Sequence, residues 1–138
     1  MPETIIAFDF GLRRIGVAVG QQVTGSANPL GTVSNSEDGP EWQLIGNFIN
    51  VWRPARLIVG MPYHADGSES ELSNHVVAFM RELERFGLPI EAVDERYSSI
   101  EAEERLKALR AAGLSKRISK EMIDAAAAVT IAERWLAG

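Results

Sequence analysis

The sequence TIIAFDFGLRRIGVAVGQ, residues 4–21, predicts a β-hairpin near the start of the chain. Two segments rich in β-branched and apolar residues, Thr4–Phe10 and Ile15–Gln21, are typical of strands. Gly11–Arg14 joins them, and its glycine suits a tight reversal of the chain. Asp9 lies late in the first strand among apolar neighbours, where a carboxylate is costly unless a cation or a proton compensates its charge.

The segments after the hairpin predict an α/β fold. A third, irregular strand over Val23–Val33 contains a proline and two glycines, which favours an edge position. Arg56–Met61 is a short apolar run, as in a central parallel strand covered on both faces. The other predicted elements are a strand over Ile90–Val93 and helices over Glu41–Trp52, from Ser70 to Phe86, from Ser98 or Ser99 to Ala112, and from Ser119 onward. This order predicts a five-stranded mixed sheet flanked by helices.

The composition is that of one ordinary globular domain. The chain has 138 residues, 46% hydrophobic and 24% charged, so we expect a single domain over residues 1–138. No apolar run approaches the roughly 18 to 20 residues that span a bilayer, and the N-terminus lacks signal-peptide features. The absence of cysteine excludes disulfides and thiolate metal sites. We therefore expect a cytoplasmic protein with no membrane partner.

Three acidic positions are embedded in otherwise apolar sequence: Asp9, the pair Asp94-Glu95, and Asp124. Carboxylates that converge repel one another, so a proton or a divalent cation must compensate them. Mg²⁺ and Mn²⁺ prefer oxygen ligands, which indicates a metal centre for phosphate chemistry with Asp9, Glu95 and Asp124 as catalytic residues and metal ligands. Neighbouring side chains of a strand point to opposite faces, so one member of the pair serves the site; the longer Glu95 is favoured, with Asp94 as runner-up.

Clustered basic residues supply a candidate surface for phosphate groups. The net charge of −5 weighs against binding nucleic acid through overall charge, but not against a local basic surface. The loop after Met61 begins at the carboxyl end of a strand, where ligands collect in such sheets. The predicted substrate-binding residues are Arg13, Arg14, Gly60, Pro62, Arg96, Lys116 and Arg117.

Each of these positions also has a purely structural interpretation. Asp9 could cap the turn that follows it. Asp94 and Glu95 could cap the next turn or pair with Arg96. Asp124 could be an exposed helical residue, because periodicity alone does not fix its face, and the loop after the central strand could be an ordinary connection.

Four motifs together resemble a known family: FDFGLRRIGVAVG (residues 8–20), LIVGMPYHADGSE (57–69), VDERYSS (93–99) and IDAAAAV (123–129). In order and spacing they resemble the YqgF or RuvX family of Holliday-junction-resolvase-like proteins, described as pre-16S ribosomal RNA nucleases. The resemblance covers essentially the whole chain. It implies a ribonuclease-H-like fold whose first three strands are antiparallel, and it matches Asp9, the pair Asp94-Glu95 and Asp124 to the family's catalytic acids.

The resemblance also implies an activity. The reaction is metal-dependent hydrolysis of phosphodiester bonds, leaving a 5′-phosphate and a 3′-hydroxyl, with two Mg²⁺ or Mn²⁺ ions. The leading function is 5′-end maturation of pre-16S ribosomal RNA, with structured RNA and ribosomal precursor particles as partners and a monomer or weak homodimer as the working form. Resolution of four-way DNA junctions, which requires paired active sites, is the alternative. From other classes, a non-catalytic ribosome-assembly module stays open, whereas an actin-like ATPase needs two lobes and 138 residues supply one.

Overall fold

The computed structural model describes residues 2–62, 71–94 and 120–138, with the side chains of 120–124 left out of the description. Strands β1 (Thr4–Asp9) and β2 (Arg14–Gln21) form the predicted antiparallel hairpin. β3 (Ser26–Ser36) pairs antiparallel with β2 and begins and ends three residues later than predicted. The shift arises because the preceding residues form a turn, in which Gly25 has a φ of 66°.

A short strand that the sequence did not predict lies beside β3. β4 (Gly39–Pro40) pairs with Asn35 and Ser36, so it takes the sheet edge that was predicted for β3. Gly39 has a φ of 100°, a conformation that favours glycine, and it lets the chain reverse here. The sheet therefore has six strands instead of the predicted five.

The other half of the sheet is parallel. β5 (Arg56–Met61) lies between β1 and β6 (Ile90–Asp94) and runs parallel to both. The strand order is β4-β3-β2-β1-β5-β6. The predicted mixed sheet, with its first three strands antiparallel and Arg56–Met61 at a central parallel position, is confirmed.

The described residues include three α-helices: α1 (Trp42–Trp52), α2 (Glu71–Leu83) and α3 (Lys120–Ala137). A 3₁₀ turn over Glu84–Phe86 continues α2 to its predicted end. The predicted helix that ends at Ala112 lies outside the described residues. In the part of the chain that is described, no helix has the length and apolarity needed to cross a bilayer.

Two hydrophobic layers cover the two faces of the sheet because side chains alternate along each strand. On one face, Phe8 and Val59 are fully buried beneath α1 and α2. Phe79 of α2 meets Phe8 edge to face, with ring centroids 5.6 Å apart. On the other face, Ala7 and Ile58 are buried beneath α3.

α3 approaches the sheet closely because its middle consists of small residues. Ala125–Ala128 are all at most 8% exposed, and Ala128 packs on Ala18 of β2. Two turns further on, Leu136 lies at Gly20, where an added Cβ would be 3.1 Å from its Cδ1. Since Ala18 precedes Gly20 along β2, α3 runs antiparallel to β1, and its N-terminal end lies towards the carboxyl end of β1.

Candidate functional site

Asp9 is half-buried at the carboxyl end of β1, on the face that α3 covers. Its partner across the β1–β2 pair is Gly16. On the other side, Phe8 pairs with Val59, so the next position of β5 beside Asp9 is Gly60. Asp9 thus stands between two residues without side chains, and Arg14, two residues before Gly16 in β2, has the parity of the same face.

Asp94, at the end of β6, belongs to the opposite face of the sheet from Asp9. Ile90 packs in the layer beneath α1 and α2, whereas Val93 packs in the layer beneath α3. By alternation, Asp94 belongs to the α1–α2 face, opposite the face of Asp9. Its backbone carbonyl accepts a hydrogen bond of 2.7 Å from Nη1 of Arg134 in α3. The structure therefore does not bring the runner-up acid to the side of Asp9.

Several predicted site residues are not described. Glu95 and the bases Arg96, Lys116 and Arg117 lie outside the described residues, and Asp124 lies in α3 with its side chain undescribed. Within the described residues, no group of three acidic or histidine side chains is arranged to hold a metal ion.

The turn that carries Arg13 and Arg14 is held in a defined geometry. A Cβ on Gly11 would lie 2.5 Å from the carbonyl oxygen of Arg14, so only glycine fits there. Nδ2 of Asn35 donates to the carbonyl of Gly11 at 2.8 Å, and the backbone N–H of Asn35 donates to the carbonyl of Arg13 at 2.9 Å. Arg13 is exposed and Arg14 is half-buried, so Arg13 is the more accessible of the two arginines.

Gly60 and Pro62 lie at the end of β5, as predicted. Gly60 is buried in the strand, and Pro62 follows it. The carbonyl of Pro62 accepts a hydrogen bond of 3.3 Å from Oγ of Ser73, a buried residue of α2. α2 is thereby attached to the point where the β5 strand ends.

Sequence reasoning missed three residues that shape this region: Gly16, Asn35 and Ser73. Gly16 carried a signal, because a glycine inside a strand often marks a close approach of backbone or ligand. Asn35 and Ser73 act through hydrogen bonds to residues 24 and 11 positions away. No local pattern reveals such contacts.

The comparison with known proteins identifies the family. A family model described as "RuvX: Holliday junction resolvase" matches residues 3–138. The chain belongs to the RuvX family. Among its relatives, a protein of Nitrosococcus oceani is 46% identical over 98% of this chain and 87% of its own length. One of Edwardsiella ictaluri is 42% identical over 97% of this chain and 94% of its own length; both are named "Putative pre-16S rRNA nuclease".

Membership of the RuvX family confirms the predicted family and enzyme class, a nuclease that hydrolyses phosphodiester bonds. Solved structures agree on the fold. Thermus thermophilus RuvC, in complex with a Holliday junction substrate, matches with a TM-score of 0.55 at 18% identity, over 94% of this chain and 90% of that one. The yeast mitochondrial Holliday junction resolvase Ydc2 matches with a TM-score of 0.53 at 11% identity, over 96% and 77%. The ribonuclease-H-like fold predicted for this RuvX chain is confirmed.

Proposed function

We propose that this chain is a metal-dependent nuclease that cleaves structured RNA in the 5′-end maturation of pre-16S ribosomal RNA. Asp9, Glu95 and Asp124 are its catalytic acids. The observation that carries the proposal is the place of Asp9: a carboxylate at the end of β1 between Gly16 and Gly60, in a RuvX-family chain. The substrate implies a cytoplasmic enzyme, acting as a single domain and as a monomer or weak homodimer.

The path of α3 supports a role for Asp124. Residue 124 precedes Ala128 by one helical turn, about 6 Å along the axis. Gly16 precedes Ala18 by two strand residues, about 7 Å. Because Ala128 packs on Ala18, residue 124 falls at the level of Gly16, the partner of Asp9.

Strand alternation supports Glu95 over Asp94. Val93 lies on the face that Asp9 occupies, and Asp94 belongs to the opposite face. Glu95 is two residues beyond Val93, so the alternation of β6, continued one residue past Asp94, would give it the parity of the Asp9 face. The longer glutamate side chain adds reach from the end of the strand.

These residues fit a hard divalent cation. Three carboxylates would supply the oxygen ligands that Mg²⁺ and Mn²⁺ prefer, and the residues beside Asp9 on the two neighbouring strands, Gly16 and Gly60, add no side chain there. Two such ions would activate water and stabilise the leaving oxygen of a phosphodiester. Asp9, Glu95 and Asp124 would hold them, while the rest of the chain orients the nucleic acid.

A local basic surface binds the substrate in this proposal. Arg13 and Arg14 belong to the Gly11–Arg14 turn and lie within five residues of Asp9 in the chain. A phosphate bound there is therefore close to the end of the sheet that holds the proposed catalytic acids. The other proposed contacts are Gly60, Pro62, Arg96, Lys116 and Arg117.

One experiment separates the candidate functions. Purified protein is incubated with precursor 16S RNA and with a synthetic four-way DNA junction, each with Mg²⁺, Mn²⁺ or EDTA. We expect metal-dependent cleavage of the RNA with 5′-phosphate products. Symmetrical cleavage of the junction alone would favour resolution, which the description of the family model also supports. Binding without cleavage under every condition would favour the non-catalytic assembly module.

A further inference from the structure

A groove of about 670 Å³ lies beside the Gly11–Arg14 turn, on the α1–α2 side of the sheet. Its volume is within the range of ordinary ligand pockets. The rings of Phe10 and Phe79, with centroids 5.1 Å apart, are almost fully buried and line the groove together with Pro40. We call it the turn groove; its polar lining residues are Arg13, Asn35, Ser36, Glu37, His75 and Glu82.

The turn groove and Asp9 lie at the same end of the sheet, the carboxyl end of β1, but on opposite faces. Phe10 follows Asp9 directly in the chain, but Phe10 packs in the layer beneath α1 and α2. Arg13 both lines the groove and belongs to the proposed phosphate-binding turn. The nucleoside attached to a phosphate at Arg13 is therefore within reach of the groove.

An exposed leucine at the mouth of the groove points to an apolar contact with the ligand. Leu12 is 60% exposed and lines the groove next to Arg13. Apolar side chains beside arginines are common where proteins contact the faces of bases, because the base supplies the apolar surface and the phosphate the charge.

The acids of the groove select a base over a phosphate. Glu37 and Glu82 are exposed carboxylates that line the groove. Glu82 is also paired with Arg85, whose Nη2 lies 3.7 Å from its Oε2, so repulsion of the nucleic-acid backbone comes mainly from Glu37. Carboxylates do accept hydrogen bonds from the amino groups of bases. A base in a duplex is stacked and its pairing edge is occupied, so only an unpaired base can enter.

We infer that the turn groove binds an unpaired base of the substrate, next to the phosphate held by Arg13. The inference rests on the proposed function and deepens it. Through this groove the enzyme selects nucleic acid in which a paired region meets an unpaired strand next to the site of cleavage.

Binding to abasic RNA tests the inference. The Asp9→Asn protein, which retains the groove, is titrated by fluorescence anisotropy with an RNA hairpin carrying a single-stranded extension. The extension is either intact or has one abasic residue at each position in turn. We expect one position at which loss of the base weakens binding by about five-fold or more, the lower end of what base stacking contributes.

A groove-filling variant locates the effect. Ala78 lines the groove on α2, and Val77 is exposed on the same helix outside the lining. Ala78→Trp, added to Asp9→Asn, is expected to bind intact and abasic RNA equally. Val77→Trp, the matched control, is expected to keep the full difference.

A smaller substitution at Ala78 tests the same groove if the tryptophan variant misfolds. The chain has no cysteine, so Ala78→Cys creates a unique thiol in the groove. Intact RNA should slow alkylation of this thiol several-fold, RNA abasic at the sensitive position should not, and the Val77→Cys thiol should react at one rate throughout.

Either of two binding results would overturn the inference: no position-specific loss in the abasic scan, or a folded Ala78→Trp protein that keeps the loss. Equal alkylation of the Ala78→Cys thiol with intact and abasic RNA would do the same. If the Asp9→Asn protein binds neither RNA nor the four-way junction, the proposed function itself fails, and this outcome is distinct from binding that ignores the groove.

Discussion

At the scale of single residues, the choice between Asp94 and Glu95 depends on strand alternation, and substitution can test it directly. Asp94 belongs to the face opposite Asp9, so Asp94→Asn should alter stability more than rate. Glu95→Gln should lose Mn²⁺-dependent cleavage by orders of magnitude, as Asp9→Asn should, because each removes a proposed metal ligand. Single-turnover cleavage of precursor RNA measures both. A dead Asp94→Asn protein beside an active Glu95→Gln protein would reverse the assignment.

Asn35 is expected to position the arginine turn without touching the reacting phosphate. Asn35→Ala removes the 2.8 Å hydrogen bond to the carbonyl of Gly11, so stability should fall by about 1 kcal/mol. The looser turn should raise KM for RNA several-fold and leave kcat nearly unchanged. Asn28→Ala, at an exposed position of the same strand, is the control and should change neither stability nor KM. Equal KM values for the two variants would remove Asn35 from this role.

At the scale of elements, Arg56 links β5 to β6 and to the residue before β1, at the end of the sheet far from the site. It begins β5 and hydrogen-bonds Glu3, before β1, through Nε and Nη2 at 2.8 and 2.9 Å, and Glu91 of β6 through Nη1. These hydrogen bonds hold the pKa values of both carboxyls below the usual 4.5. A lowered folded-state pKa stabilises the fold above the unfolded value, and this contribution is lost as pH falls through the lowered values.

Arg56→Met should therefore reduce the pH dependence of stability. At neutral pH the variant should melt at a lower temperature than the parent, and the gap should narrow below pH 4.5 as Glu3 and Glu91 take up protons. The ion pairs are partly exposed, so added salt should narrow the gap too. Thermal melts over acid and neutral pH measure the effect. Parallel curves for parent and variant would contradict it.

The elements also show what sequence can predict. β1, β2, α1 and α2 follow from local alternation or helical periodicity, and their positions agree with prediction within a few residues. β4 does not, because two residues form a strand only through their pairing with Asn35 and Ser36. The direction of α3, which supports a role for Asp124, likewise emerges only from two long-range contacts, Ala128 with Ala18 and Leu136 at Gly20.

For the whole molecule, the sequence singles out candidate acids but not their arrangement. Asp9 could be selected as a carboxylate in an apolar strand, yet its neighbours Gly16 and Gly60 come from two other strands and depend on register. The same register, together with the packing of Val93, puts Asp94 on the face opposite Asp9. Pairing between distant segments is a property of the assembled sheet, so no single segment encodes it.

The charge of the whole molecule predicts how binding to nucleic acid should depend on salt. With a net charge of −5, binding to nucleic acid must come from a local basic surface and not from overall attraction. Each lost phosphate contact should lower the slope of log affinity against log salt by about one unit. We expect this for Arg13→Ala, Arg14→Ala and Arg117→Ala in the Asp9→Asn background, measured by anisotropy over a salt series.

Arg81→Ala is the matched control for this series. Arg81 is an exposed arginine in the last turn of α2, outside the proposed contacts, and its loss changes the net charge by the same one unit. If overall charge governed binding, all four variants would weaken it alike and their slopes would shift together. If the local surface governs it, Arg81→Ala keeps the parent slope while the others fall. Parent-like slopes in Arg13→Ala and Arg14→Ala would instead remove the turn from the binding surface and leave Asp9 without its nearest phosphate contact.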